Sequence, residues 1–324
     1  MDILVTGCAG FIGMHVCLKL SSLNKVTRIV GLDNLNNYYD LNLKTERLKE
    51  IKKSNKFVFY KTDLIKKSHI KNLFKKFKFS IVIHLGAQAG VRFSLLKPQR
   101  YINTNIQGFY NIVEECKNNG ISHLFYASSS SVYGNTNEIP FKETQITDNQ
   151  ASFYGMTKKV NELMAQTYSN LYKIKVTGLR FFTVYGPWGR PDMALYLFTK
   201  AIFEGNPIDI YNNGNMIRDF TFIDDVVNSI TKLVFLKEQN SEHEIYNIGN
   251  EKPINLLEYI KLLEKIIGIK AKKNFLNLQK GDVIKTHSDS KKIYKKINFK
   301  PSTSLEDGLQ KYVDWYKKFY LKIN

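Results

Sequence analysis

Residues 2–6, DILVT, run directly into TGCAGFIG at 6–13. An apolar, β-branched run favours an extended strand. Glycines at 7, 10 and 13 then let the chain turn sharply and bring a following helix close to that strand. A strand, a glycine turn and a helix, in that order, form the opening half of a βαβ unit. Further short β-rich runs follow at 28–33 (RIVGLD), 57–63 (FVFYKTD), 80–87 (SIVIHLGA), 123–130 (HLFYASSS) and 174–182 (IKVTGLRFF). Helical patterns separate them, for example at 104–120 and 157–172. Strands alternating with helices predict an α/β fold with a doubly wound parallel sheet.

The alternation loosens after residue 184, where YGPWGRPDM (185–193) is a Pro/Gly-rich loop. The expected division is a dinucleotide-binding (Rossmann) domain over 1–184 and a smaller α/β substrate domain over 185–324. A segment over 218–249, opening RDFTFIDD, reads as a strand and helix that could rejoin the first domain. No run approaches the ~20 apolar residues that a membrane span needs. The N-terminus lacks the basic and long apolar stretches of a signal peptide, so a cytoplasmic protein with no membrane partner is expected. Cys8, Cys17 and Cys116 offer neither metal spacing nor a disulfide framework. The net charge of +19 is spread along the chain, and clusters such as KKFK (75–78) and KKIYKK (291–296) read as solvated helix faces. No nucleic-acid partner is inferred from it.

Three further readings carry chemistry. The glycine loop leaves helix N–H groups facing whatever approaches it, a seat for a pyrophosphate. Asp33 stands twenty residues beyond Gly13, at the end of the second strand, where an acid can accept hydrogen bonds from a ribose diol and repel a 2′-phosphate. NAD is therefore favoured over NADP. Asp63 is a weaker candidate near the adenine. Second, Tyr154 and Lys158 share a helix face one turn apart. Ser129 ends a strand at the sheet edge where such folds bind ligands. A nearby ammonium and a cationic nicotinamide would favour the phenolate, making Tyr154 a base for a sugar hydroxyl that Ser129 bonds. A second Tyr-x-x-x-Lys pair, Tyr196 and Lys200, has no serine-ended strand upstream and is set aside. Third, Asp224 and Asp225 open a helix and are read as dipole caps rather than metal ligands. His84 is read as a satisfied core histidine, and no metal is expected.

TGCAGFIG, GLDNLNNYYD, AQAGVRFS, ASSSSVYG, SFYGMTKKVNELMA, TGLRFFTVYGPWGRPDMA and MIRDFTFIDD together resemble the extended short-chain dehydrogenase/reductase family. Within it they are most similar to the UDP-glucuronate 4-epimerases. The resemblance covers most of residues 3–225 and continues weakly through QKGDVIKTHSD at 279–289. It implies inversion of C4 of UDP-glucuronate to UDP-galacturonate through a transient 4-keto sugar. Ser129, Tyr154 and Lys158 would be catalytic, with Lys158 also gripping the nicotinamide ribose. It implies a cofactor set of Gly7, Gly10, Phe11, Ile12, Gly13, Asp33, Asn34, Asp63, Leu64, Leu85, Ala87, Gln88 and Asn103, with Tyr154 and Lys158. It places Ser129, Ser130, Ser131, Thr183 and Arg190 about the sugar and its carboxylate, Arg218 at the diphosphate, and Asp282 and Gln279 at the uridine end.

The resemblance also bears on reaction type. Sugar 4,6-dehydratases carry an Asp–Glu pair where this chain has Ser130 and Ser131, and decarboxylating relatives carry a Glu at the position of Ser131. Serine supplies neither the acid nor the base those reactions need. Galactose epimerases typically place Asn at Thr183 and often Arg at Gln279. Gly86, Gly155 and Met156 are smaller departures, each where the family usually has Ala. The family pairs through helices corresponding to 104–118 and 155–171, which implies a homodimer. Two alternatives remain at this stage: another UDP-hexose or UDP-N-acetylhexosamine 4-epimerase, or a non-catalytic dinucleotide or nucleic-acid binding module.

Overall fold

The computed structural model describes residues 1–236, 242–279 and 281–323. Its main sheet contains β1 (Asp2–Thr6), β2 (Arg28–Asp33), β3 (Phe57–Lys61), β4 (Ile81–His84), β5 (His123–Ser129) and β6 (Val176–Phe181). The remaining strands are β7 (Thr183–Tyr185), β8 (Pro207–Tyr211), β9 (Ile217–Phe222), β10 (His243–Ile248), β11 (Pro253–Asn255) and β12 (Lys272–Leu276). The main sheet runs β10-β6-β5-β4-β1-β2-β3, and every pairing in it is parallel. Strands β1, β4 and β6 carry little but buried residues, as sheets covered on both faces require. Chain order reverses between β1 and β4, so a crevice opens at the carboxyl ends of the strands.

The expected segment 218–249 includes residues 237–241, which lie outside the described residues, and its described strands go to two different sheets. β10 pairs with β6 at the edge of the main sheet, with Ile245 opposite Gly178. β9, however, lies in a separate three-stranded sheet, β11-β9-β7. β8 and β12 form a two-stranded sheet of their own. Several strands are shorter than their apolar runs. β4 stops at His84 because the next residues leave the sheet to meet the glycine turn: a Cβ on Gly7 would come within 2.7 Å of the Gly86 nitrogen. β3 stops at Lys61, which leaves Asp63 on the loop beyond it.

The helix after the serines spans Phe153–Tyr172 and is capped by Ser152, whose hydroxyl accepts the Gly155 N–H at 3.0 Å. The helix expected at 104–120 runs over Gly108–Asn118 and follows a π-helical segment, Ile102–Gln107. In that segment the Asn105 side chain accepts the Gln88 N–H and donates to the Gln88 carbonyl and to Thr157, pinning the loop after β4 to the Phe153–Tyr172 helix. The three cysteines are buried and unpaired. Among the described residues, no helix is long and apolar enough to cross a membrane, and no cluster of metal-binding side chains occurs.

Candidate active site

The sheet edge opens into one cleft of about 440 Å³. Its floor is the glycine turn. Gly7 has φ +70°, and a Cβ on Gly13 would lie 2.1 Å from the Gly7 carbonyl oxygen, so glycine alone lets the Phe11–Ser21 helix start this close to β1. No side chain caps that helix. The N–H groups of its first turn therefore point toward the cleft without partners of their own, which suits a pyrophosphate.

Asp33 ends β2 and lines the cleft. Its carboxylate accepts the Ala9 N–H at 3.2 Å and the Leu35 N–H at 2.9 Å. Burial pushes its pKa up, against those two bonds and the charges of Lys44 and Arg47. Lone pairs beyond these two bonds remain for a ribose diol. Asn34 donates to Asp63 at 2.8 Å, so the adenine end is walled by one acid–amide pair. Phe11, Ile12, Leu64, Leu85, Ala87 and Gln88 complete this lining. Asn103 does not: it is exposed, accepts from Gln99 at 2.8 Å, and its neighbour Thr104 lines the wall instead. These features fit NAD.

Ser129, Tyr154 and Lys158 converge on the cleft. The Ser129 hydroxyl donates to the Ser131 hydroxyl and accepts the Ser131 N–H, each at 3.2 Å. Burial raises the pKa of the Tyr154 phenol, while Arg190 is the largest influence lowering it and the Ser129 hydroxyl adds to that. The Lys158 ammonium donates to the Ala127 carbonyl at 2.8 Å, and burial lowers its own pKa to about 8. His84 is packed as the sequence suggested. Its Nδ1 bonds the Thr6 hydroxyl at 2.8 Å, and burial with nearby Lys158 lowers its pKa to about 3.

Ser130 and Ser131 form a short 3₁₀ turn after β5, and Thr183 opens β7 beside them. All three line the cleft, as does Arg190. Arg190 is not free. Its Nε donates to Asp192 at 3.0 Å, a second bond runs from Nη2 to the same carboxylate, and Tyr38 donates to Asp192 at 3.0 Å. Among the described residues, Nη1 makes no bond to Asp192. Gly155, one of the departures noted above, fits closely: a Cβ there would lie 2.6 Å from the Ser131 carbonyl oxygen.

At the far end, Arg218 donates to the carbonyls of Ile217 and Ile284, each at 2.9 Å, and lines the cleft with Asp282. Asp282 is paired with Arg92 at 2.9 Å. Gln279 is not part of the wall, though its carbonyl accepts the Asp282 N–H.

Sequence reasoning missed the layer behind the serines. Arg180 and Glu162 form a buried two-bond ion pair at 2.8 Å, and Glu162 also accepts from Ser128 at 2.6 Å. An arginine inside a strand and a glutamate on a helix, eighteen residues apart, gave no local signal. Asp225 also acts differently from a simple cap. Its carboxylate accepts N–H groups from Ser302 and Thr303, tying the C-terminal segment to the helix at Ile223–Val234. Tyr196 of the second Tyr–Lys pair packs on Tyr316 and Tyr320 and has no catalytic partner there.

A glycine-turn cofactor floor with a Tyr–Lys–Ser set at the switch point defines a dinucleotide-dependent enzyme of the extended short-chain dehydrogenase/reductase kind. Residues 3–249 match the NAD dependent epimerase/dehydratase family, and the chain belongs to it. It uses NAD. Its relatives include Protein CapI of Staphylococcus aureus, 46% identical over 99% of this chain and 100% of that one. UDP-glucuronate 4-epimerase 2 of Arabidopsis thaliana is 41% identical over 99% of this chain and 76% of its own length. The crystal structure of UDP-glucuronic acid 4-epimerase from Bacillus cereus, with UDP-glucuronic acid and NAD, superposes with a TM-score of 0.93 at 34% identity. It covers 99% of this chain and 100% of that one.

Proposed function

We propose that this enzyme inverts C4 of UDP-glucuronate to give UDP-galacturonate, with no net redox change. The observation that carries the reading is Arg190, fixed by Asp192 at the sugar end of the cleft, close enough to be the main charge acting on Tyr154. A guanidinium anchored by Asp192 beside three hydroxyl-bearing residues suits a carboxylate. Serines at 130 and 131 leave no acid–base pair for losing water or CO₂. The Arabidopsis thaliana relative and the Bacillus cereus structure named above support the same substrate.

In this reading Tyr154 takes the proton from the C4 hydroxyl and returns it to the epimer. Ser129 donates to that oxygen and keeps it aligned with the phenol. Bound NAD supplies the two-electron acceptor and donor, and its oxidised ring adds positive charge that favours a phenolate. Ser130, Ser131, Thr183 and Arg190 hold the carboxylate, and Arg218 holds the diphosphate. Lys158 keeps the Ala127 carbonyl engaged and grips the nicotinamide ribose. Asn103 and Gln279 keep only supporting parts in this reading. The test offers UDP-glucuronate, UDP-glucose and UDP-N-acetylglucosamine to the purified enzyme side by side. A kcat/KM for UDP-glucuronate at least about 100-fold above the others is expected, which an arginine–carboxylate pair can supply. Equal or better turnover of a neutral sugar would favour the alternative UDP-hexose reading, and no turnover of any would favour a binding module.

A cytoplasmic homodimer belongs to the same proposal. The Phe153–Tyr172 helix leaves Leu163, Leu171 and Tyr172 exposed, an apolar strip of the kind a second copy would cover.

A further inference from the structure

We infer that Arg47 is a positioning residue, which locks the turn at 186–190, and with it Arg190, onto the cofactor loop. The inference rests on the reading of Arg190 as the carboxylate contact.

Arg47 lies on the Leu41–Lys52 helix and is fully buried. No carboxylate pairs with it among the described residues. All its bonds go to neutral oxygens of three separate loops. Nη1 donates to the Ala9 carbonyl at 3.0 Å and to the Tyr39 hydroxyl at 2.6 Å. Nη2 donates to the carbonyls of Trp188 at 2.6 Å and Gly189 at 3.2 Å. Its Nε finds no acceptor. A buried cation with no carboxylate in direct contact, Asp33 acting on it only through space, is costly to bury, so stability alone is a poor reason to keep it.

The geometry gives a better one. Trp188 has φ +63°, a left-handed conformation that non-glycine residues rarely adopt. Such a conformation persists only where neighbours fix it. The turn carries its own Gly189 N–H to Gly186 carbonyl bond at 3.1 Å, and the bonds that tie it to the cofactor loop are the two that Arg47 makes to Trp188 and Gly189, immediately before Arg190. The other end of the same guanidinium holds Ala9, whose N–H reaches Asp33 at 3.2 Å. One planar fork therefore sets the distance between the adenosine acid and the arginine of the sugar end. Lysine has the charge but not the fork.

The chain has two tryptophans, Trp188 and Trp315, with ring centroids 5.5 Å apart, so intrinsic emission reads this turn directly. The test compares wild type, Arg47→Met and Arg47→Lys as NAD-loaded proteins. Emission is recorded, and affinities for UDP-glucuronate and UDP-glucose are measured by calorimetry. Arg47→Met is expected to red-shift the emission and to weaken UDP-glucuronate at least about 10-fold, while UDP-glucose changes less than about 2-fold. Arg47→Lys falls between, and it carries the test if Arg47→Met does not fold. Equal losses for both sugars, or an unchanged ratio and emission, would overturn the inference. If wild type does not prefer UDP-glucuronate, the proposed function fails on its own. Emission then decides: a red shift upholds the lock, and an unchanged spectrum overturns it.

Discussion

The phenol of Tyr154 is pulled in two directions. Burial holds its proton on, while Arg190 and the Ser129 hydroxyl draw it off. In the proposed reading, Tyr154→Phe removes the group that moves the sugar proton and should lower kcat by at least about 100-fold with the fold intact. Activity within a few-fold of wild type, measured as epimer formed, would contradict the assignment. Lys158 makes a complementary prediction. Its folded pKa, about 8, lies below its ordinary 10.5, so the buried ammonium destabilises the nucleotide-free protein by about 3 kcal/mol. That cost is fully present below pH 8 and fades as pH rises toward 10.5, because there the unfolded chain binds the extra proton. Lys158→Met should therefore be inactive yet more resistant to urea at pH 7 than wild type, with the difference closing by about pH 10.5. A variant less stable at pH 7 would refute this account of the lysine. At this scale the sequence was informative where spacing carries the message. Tyr154, Lys158 and Ser129 could be picked out because helix pitch and strand ends fix them locally. The Asp192 partner of Arg190 and the carbonyl partner of Lys158 could not, since neither contact follows from a local rule.

Elements meet closely at the glycine turn and behind the serines. Gly13→Ala would drive a Cβ into the Gly7 carbonyl, 2.1 Å away, and must push the Phe11–Ser21 helix off β1. The expected result is protein purified without NAD, read from its absorbance ratio, and retained cofactor would contradict the floor described here. Arg180→Met leaves Glu162 buried and unpaired, with only Ser128 bonded to it. Such a loss costs about 3–5 kcal/mol and should appear as a lower urea midpoint. An unchanged midpoint would show that the pair contributes nothing to holding β5. The strands were legible in the sequence as apolar β-branched runs. Their ends were not, because β3 and β4 terminate where tertiary contacts begin rather than where hydrophobicity stops. The split of 218–249 between two sheets was hidden for the same reason: β9 and β10 each read as a strand, and only their partners separate them.

At the scale of the whole molecule, one cleft is walled by the parallel sheet on one side and on the other by residues beyond 182, among them Thr183 of β7 and Arg218 of β9. Assembly is tested at this scale. Sedimentation should show a dimer, and Leu171→Glu, on the exposed strip, should shift it toward monomer; a wild-type monomer would remove that part of the proposal. The overall α/β plan was recoverable from alternation alone, because parallel strands with helical crossovers leave a periodic trace. The route of the C-terminal segment was not, since it depends on Asp225 reaching Ser302 and Thr303 across 77 and 78 residues. The central claim is that the enzyme lends and reclaims two electrons within a closed site. Its most direct test is to incubate the purified protein with UDP-glucuronate, without added NAD, and to follow the sugar by NMR. The account predicts UDP-galacturonate as the new species, with no CO₂ released. A decarboxylated pentose product, or no epimer until NAD is supplied in stoichiometric amounts and consumed, would contradict it.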